Sequence, residues 1–96
     1  MGKARLSPRA QRQLNDIWLH IAQDNEAAAD RLLTRIFDKM ELSSDNPGIG
    51  APRPDIHRDT RMLVVGAYLI LYLHEAGGLV VAAVVHGMTD PDAWID

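Results

Sequence analysis

The chain predicts an α+β fold: an N-terminal strand, a pair of helices, and a run of strands that completes one sheet. Three observations lead there. Apolar residues recur at three- and four-residue spacing through the first half, the period of a helix face. "NPGIGAPRP", with two glycines and three prolines, then stops helical order. After residue 60 the chain turns to valine, leucine and tyrosine, the composition of strands.

Each element follows from its own residues. Lys3 to Leu6 adds a strand at the sheet's edge. In "LSPRAQRQLNDIWLHIAQD", Ser7 is placed as an N-cap and Pro8 at the first helical position, where its missing N–H costs nothing. Ala10, Leu14, Ile17, Trp18 and Ile21 form that helix's stripe. Asp24 or Asn25 caps a second helix, in which Ala29, Leu32, Leu33, Ile36, Phe37 and Met40 make a broad apolar face. So short a link requires an antiparallel helix hairpin. A loop continues through "DIHRD", and strands follow at about 61 to 66, 67 to 74 and 79 to 86, with a turn at Gly77-Gly78. In the middle strand Leu69, Leu71 and Leu73 point one way, and Tyr68, Ile70, Tyr72 and His74 the other. The helices cover one face only, yet "LVVAAVV" is apolar on both. A partner segment, a second copy, or the tail carrying Trp94 is expected on the second face.

Bulk properties narrow the function. Ninety-six residues make one domain spanning 1 to 96, able to bury roughly 60–65% of its unfolded surface. There is no cysteine, so no disulfide, thiol nucleophile or cysteine zinc site is available. The N-terminus is polar, no stretch is apolar enough for a membrane span, and the chain reads as soluble and cytoplasmic. All ten Lys and Arg lie in residues 1 to 61 against nine acids, leaving +1; residues 62 to 96 hold four acids and no cation. Phosphate recognition needs a basic patch, so the last third is not a nucleic-acid surface, and no direct DNA binding is expected.

His20, His57, His74 and His86 are scattered without ligand spacing, which argues against a metal site. "GIGAPRPD" precedes no helix and lacks Lys-Ser/Thr, so it is no nucleotide loop. No cofactor is expected.

The order of elements, with "LSPRAQRQLNDIWLHIAQDN", "AAADRLLTRI", "NPGIG", "VVGAYLILY" and "VVHGMTD", resembles the ParE branch of the RelE/ParE toxin superfamily from Ala4 to Asp92. The resemblance implies a helix hairpin packed on a twisted antiparallel sheet of three to four strands. It implies a toxin of a bacterial type II toxin–antitoxin pair, neutralised in a hetero-oligomer by a ParD-like antitoxin and inhibiting DNA gyrase by binding. RelE relatives instead cut mRNA on the ribosome, and a degenerate toxin that only binds antitoxin is a third reading. Relatives commonly carry arginine where this chain has Ala83 and Thr89, so the closing motif keeps its scaffold and lacks its cations. Antitoxin-binding candidates are Trp18, Arg31, Arg35, Tyr68, Ile70 and Tyr72. Target-facing candidates are Arg58, Arg61, His86, Asp90 and Trp94. For a ribonuclease, which needs a base, a cation and an acid around the 2′-OH and phosphate, the candidates are Arg61, Tyr72 and His86.

Overall fold

The computed structural model describes residues 3–46, 48–75 and 77–88. In chain order the elements are β1 (Lys3–Leu6), α1 (Pro8–Ala22), α2 (Glu26–Asp45), β2 (Ala51–Pro52), β3 (Arg61–Val65), β4 (Tyr68–Glu75) and β5 (Gly78–His86). They form an α+β fold with one five-stranded sheet in the order β1-β5-β4-β3-β2. Among the described residues no helix is long and apolar enough to cross a membrane.

Local chemistry sets the helices. The Ser7 hydroxyl accepts the Ala10 N–H at 3.0 Å, and Pro8 opens the helix. Of the two expected caps for α2, Asn25 serves, its Oδ1 accepting the Ala28 N–H at 3.0 Å. Each such cap contributes about 1 kcal/mol. The hairpin is tied across by Trp18, whose indole N–H donates to Asp30 Oδ1 at 2.9 Å.

The sheet departs from expectation in two ways. It is mixed, because β1 runs parallel to β5 with Leu6 beside Val81, while the other pairs are antiparallel. Parallel neighbours need a long crossover, which the hairpin and the meander between them supply. Gly78 allows this pairing, since a Cβ there would collide with the Lys3 carbonyl. Next, the loop contributes the extra strand β2. Pro52 fits because β2 is the outermost strand, where a missing N–H loses no ladder bond. The strands expected at about 61 to 66 and 67 to 74 are present as β3 and β4, joined by the two-residue turn Gly66-Ala67 with Gly66 at φ +59°.

A bulge decides which residues face the helices. Leu71 pairs with Ala83 but Tyr72 with Val81, so Ala82 is an extra residue on β5. Val81 and Val84, three apart, both join the helix-side core with Ile70, Tyr72, Leu63, Val65, Ile36 and Leu14. The helix cap serves the bulge too: Ser7 N–H donates to the Val81 carbonyl at 2.9 Å and its hydroxyl to the Ala82 carbonyl at 3.0 Å.

The second face is covered in part from within the chain. Leu71, Ala83 and Val85 form a separate buried cluster against which Ile56, Met62 and Leu69 pack. Ile56 belongs to the loop between β2 and β3, so no partner is needed to bring that apolar contact. Thr89 to Asp96, including Trp94, lie outside the described residues.

Candidate functional site

The β2–β3 loop is held by its own polar contacts. Arg53 forks onto Asp55 at 3.0 and 2.8 Å and reaches Met62 Sδ at 3.3 Å. The hydrogen bond holds the Asp55 carboxyl below its usual range and raises Arg53. Arg61 donates to the Gly50 carbonyl at 2.7 Å and the Gly48 carbonyl at 3.3 Å, so it clamps the loop's start. Tyr72 completes the clamp from the core: its hydroxyl accepts the Gly50 N–H at 3.0 Å. A Cβ at Gly50 would lie 2.6 Å from that hydroxyl, which requires glycine.

These contacts separate the three ribonuclease candidates. Tyr72 is fully buried against the helices, and Arg61 is engaged with loop carbonyls. His86 pairs with Tyr68, four residues along β4 from Tyr72. At about 3.3 Å per residue that is roughly 13 Å away. Arg61, Tyr72 and His86 therefore make no single constellation. His86 is exposed, its Nδ1 accepts the Met88 N–H at 3.1 Å, and its ring meets Tyr68 edge-on at 5.2 Å. With Nδ1 occupied as an acceptor, the neutral ring carries its proton on Nε2.

Burial also corrects the antitoxin candidates. Ile70 and Tyr72 are closed in by the helices and offer a partner no surface. Tyr68 is half-buried in a groove beside Ile17 and His20 of α1. Arg31 and Arg35 are exposed on α2, and Arg35 lines a shallow cleft with Leu42 and Val65. Arg58, with Asp59 at 3.8 Å, is solvated loop charge. Asp90 and Trp94 lie outside the described residues. Among the described residues, no group of three or more His, Asp or Glu is placed to hold a metal ion.

The hairpin also carries an apolar groove, and of the residues that line it only Trp18 is among the sequence candidates. Between α1 and α2 runs a groove of about 530 Å³ lined by Leu14, Trp18, Leu19, Leu33 and Phe37, with Gln11, Asn15 and Asp30 as its polar members. Leu19 is 57% exposed and Phe37 43%. Two signals pointed to it: Leu19 lies outside the stripe of α1, and the apolar arc of α2 is wider than one core can cover. An amphipathic helix is the natural ligand of such a groove, read by apolar anchors spaced along one face.

Ala83 carries the clearest consequence for the closing motif. It is buried in the second-face cluster with Leu71 and Val85, so the position for which the resemblance implies arginine is closed here.

Comparison with known proteins bears on this arrangement. No curated protein matches. The chain resembles a solved structure described as a chromosomal ParDE TA system from P. aeruginosa, with a TM-score of 0.72 at 15% identity, covering 90% of this chain and 96% of that one. At that identity the likeness concerns the fold. The family model for the ParE toxin of the type II toxin–antitoxin system parDE matches residues 4–91, nearly the whole length. The chain therefore belongs to the ParE toxin family of type II toxin–antitoxin systems.

Proposed function

We propose that this ParE toxin acts in the bacterial cytoplasm by binding DNA gyrase, and that a ParD-like antitoxin neutralises it by docking on the helix hairpin. The observation that carries the antitoxin part is the apolar groove between α1 and α2, where Leu19 and Phe37 stand exposed and Trp18 is half-buried. Exposed apolar side chains gathered in a groove favour a partner over water. Arg31 and Arg35, on the exposed side of α2, are the cations that an acidic flank of the antitoxin would meet. Action by binding is supported by the separation of Arg61, Tyr72 and His86, because in-line cleavage needs base, cation and acid around one phosphate. Gyrase itself rests on family membership, and fold analogy alone does not decide a target.

The test is a gyrase supercoiling assay with the purified chain, with and without antitoxin, beside an Ala83→Arg, Thr89→Arg variant. Inhibition relieved by antitoxin supports the proposal. Inhibition by the double variant alone indicates an attenuated toxin. Failure of both, with cuts mapped in ribosome-bound mRNA, would replace the proposal with a ribonuclease; failure without such cuts would leave an antitoxin ligand that poisons nothing.

A further inference from the structure

α1 lines two separate hollows. Gln11, Leu14, Asn15, Trp18 and Leu19 face the hairpin groove. Gln13, Asp16, Ile17 and His20, spaced three and four apart, lie on the opposite side of the helix and line a hollow of about 510 Å³ over the end of β5. The sheet contributes Val84 and Val85 to it, together with Tyr68 and His86, which pair across β4 and β5.

The polar groups of this hollow differ in what they have left to offer. Gln13 is engaged, its Oε1 accepting the Val84 N–H at 2.8 Å. Asp16 is exposed and makes no ion pair among the described residues. The Tyr68 hydroxyl has no hydrogen-bond partner among the described residues either, although its ring meets His86 edge-on at 5.2 Å. His86 accepts the Met88 N–H at Nδ1, which leaves its Nε2–H as a donor. No Lys or Arg lines the hollow, and none occurs from residue 62 to 96. α1 ends at Ala22, two residues after His20, so the negative end of the helix dipole falls at the same place. A carboxylate entering here would meet charge of its own sign. An arginine would instead fork onto the Asp16 carboxylate, lie against the Tyr68 ring and rest its stem on Ile17.

We infer that the hollow between α1 and the Tyr68–His86 pair takes an arginine presented by a protein segment, with Asp16 as its counter-ion and with the segment's backbone carbonyls accepting from His86 Nε2–H and the Tyr68 hydroxyl. The inference deepens the proposed function and rests on the gyrase reading only for the identity of the protein that presents the arginine. The hollow and the hairpin groove share no lining residue, so occupants of the two do not compete for the same side chains.

Two probes test this. A short peptide with arginine between leucines, titrated to millimolar concentration, should give saturable amide shifts at Asp16, His20, Tyr68 and His86. It should bind at least tenfold tighter than the same peptide with glutamate, and tighter than the lysine version, which lacks the planar fork. Asp16→Lys should reverse the order of the arginine and glutamate peptides, and Tyr68→Leu should weaken the arginine peptide without reversing it. Asp45→Asn, which removes an exposed acid outside the hollow, should change neither. Absence of saturable binding, shifts confined to other elements, equal binding of the arginine and glutamate peptides, or an equal loss in Asp45→Asn overturns the inference. In a second arm the supercoiling assay compares the native chain with Asp16→Lys. A tenfold or greater loss of inhibition supports the inference; equal inhibition sinks it while leaving the gyrase reading intact. If the native chain does not inhibit gyrase, that reading fails and the peptides decide the hollow.

Discussion

The two faces of the sheet are closed by different means. On one, two capped helices lay Ile36, Leu14 and Met40 over Ile70, Tyr72, Val81 and Val84. On the other, Ile56 of an irregular loop, with Met62 and Leu69, packs on a small cluster of Leu71, Ala83 and Val85, and Val64 stays 58% exposed. The helical face is an interior, where apolar burial is complete and close packing makes every volume change felt. The loop face owes its closure to polar anchors, namely the Arg53–Asp55 fork and the Arg61 contacts with Gly48 and Gly50. One face is a core in its own right, and the other is a cover that can be loosened separately.

The sharpest way to break that contrast is at the residue serving both sides. Tyr72→Ala empties a fully buried site and leaves the Gly50 N–H without its acceptor. A loss of about 3–5 kcal/mol is expected in denaturant unfolding; a loss under 1 kcal/mol would mean the helix side tolerates a large void. Next comes Ala83→Arg, which forces a guanidinium into the loop-side cluster. It should cost about 3 kcal/mol if the loop cover stays closed. A neutral effect would show that the loop opens and that the family's arginine position is accessible, which bears on how a supercoiling assay of that variant is read.

Smaller changes sharpen the comparison. Ile56→Ala removes a half-buried side chain from the cover alone, and about 1 kcal/mol of destabilisation is expected. Hydrogen exchange should quicken at Arg53 to Thr60 and hold at Ile70 and Val81; uniform loosening would merge the two faces into one cooperative core. The Arg53–Asp55 pair predicts a pH signature. Asp55 has a depressed carboxyl pKa when folded, so its contribution is present above the unfolded carboxylate value and is lost as pH falls through the folded one. Exchange in the loop should rise on acidification through that range, and Asp55→Asn should flatten the response. Because Asp55 is solvent-exposed, the effect is local and small. Last, Val64→Thr on the exposed part of the face should stay within about 0.5 kcal/mol.

The candidate site was legible only in pieces. Trp18, Arg31 and Arg35 could be placed on the hairpin because helical period is readable from spacing. Ile70 and Tyr72 could be assigned to one strand face, but not to the face that α1 and α2 cover. That choice depends on which side of the sheet the hairpin crosses. Arg61 reads as a free cation in sequence; its engagement depends on carbonyls eleven and thirteen residues away.

What the sequence by itself determined was local: two capped helices, the antiparallel hairpin, the strand-rich last third, and a family resemblance carried by residues in order. Capping, turn chemistry and periodicity act over a few residues, so they are present in the string of letters. Tertiary structure decided the parallel pairing of β1 with β5, the bulge at Ala82, the loop over the second face, and the groove between the two helices. Each of these joins distant parts of the chain, as Ser7 does with Ala82 or Gln13 with Val84. No local preference favours one such meeting over another, and only the packing of the whole chain selects it.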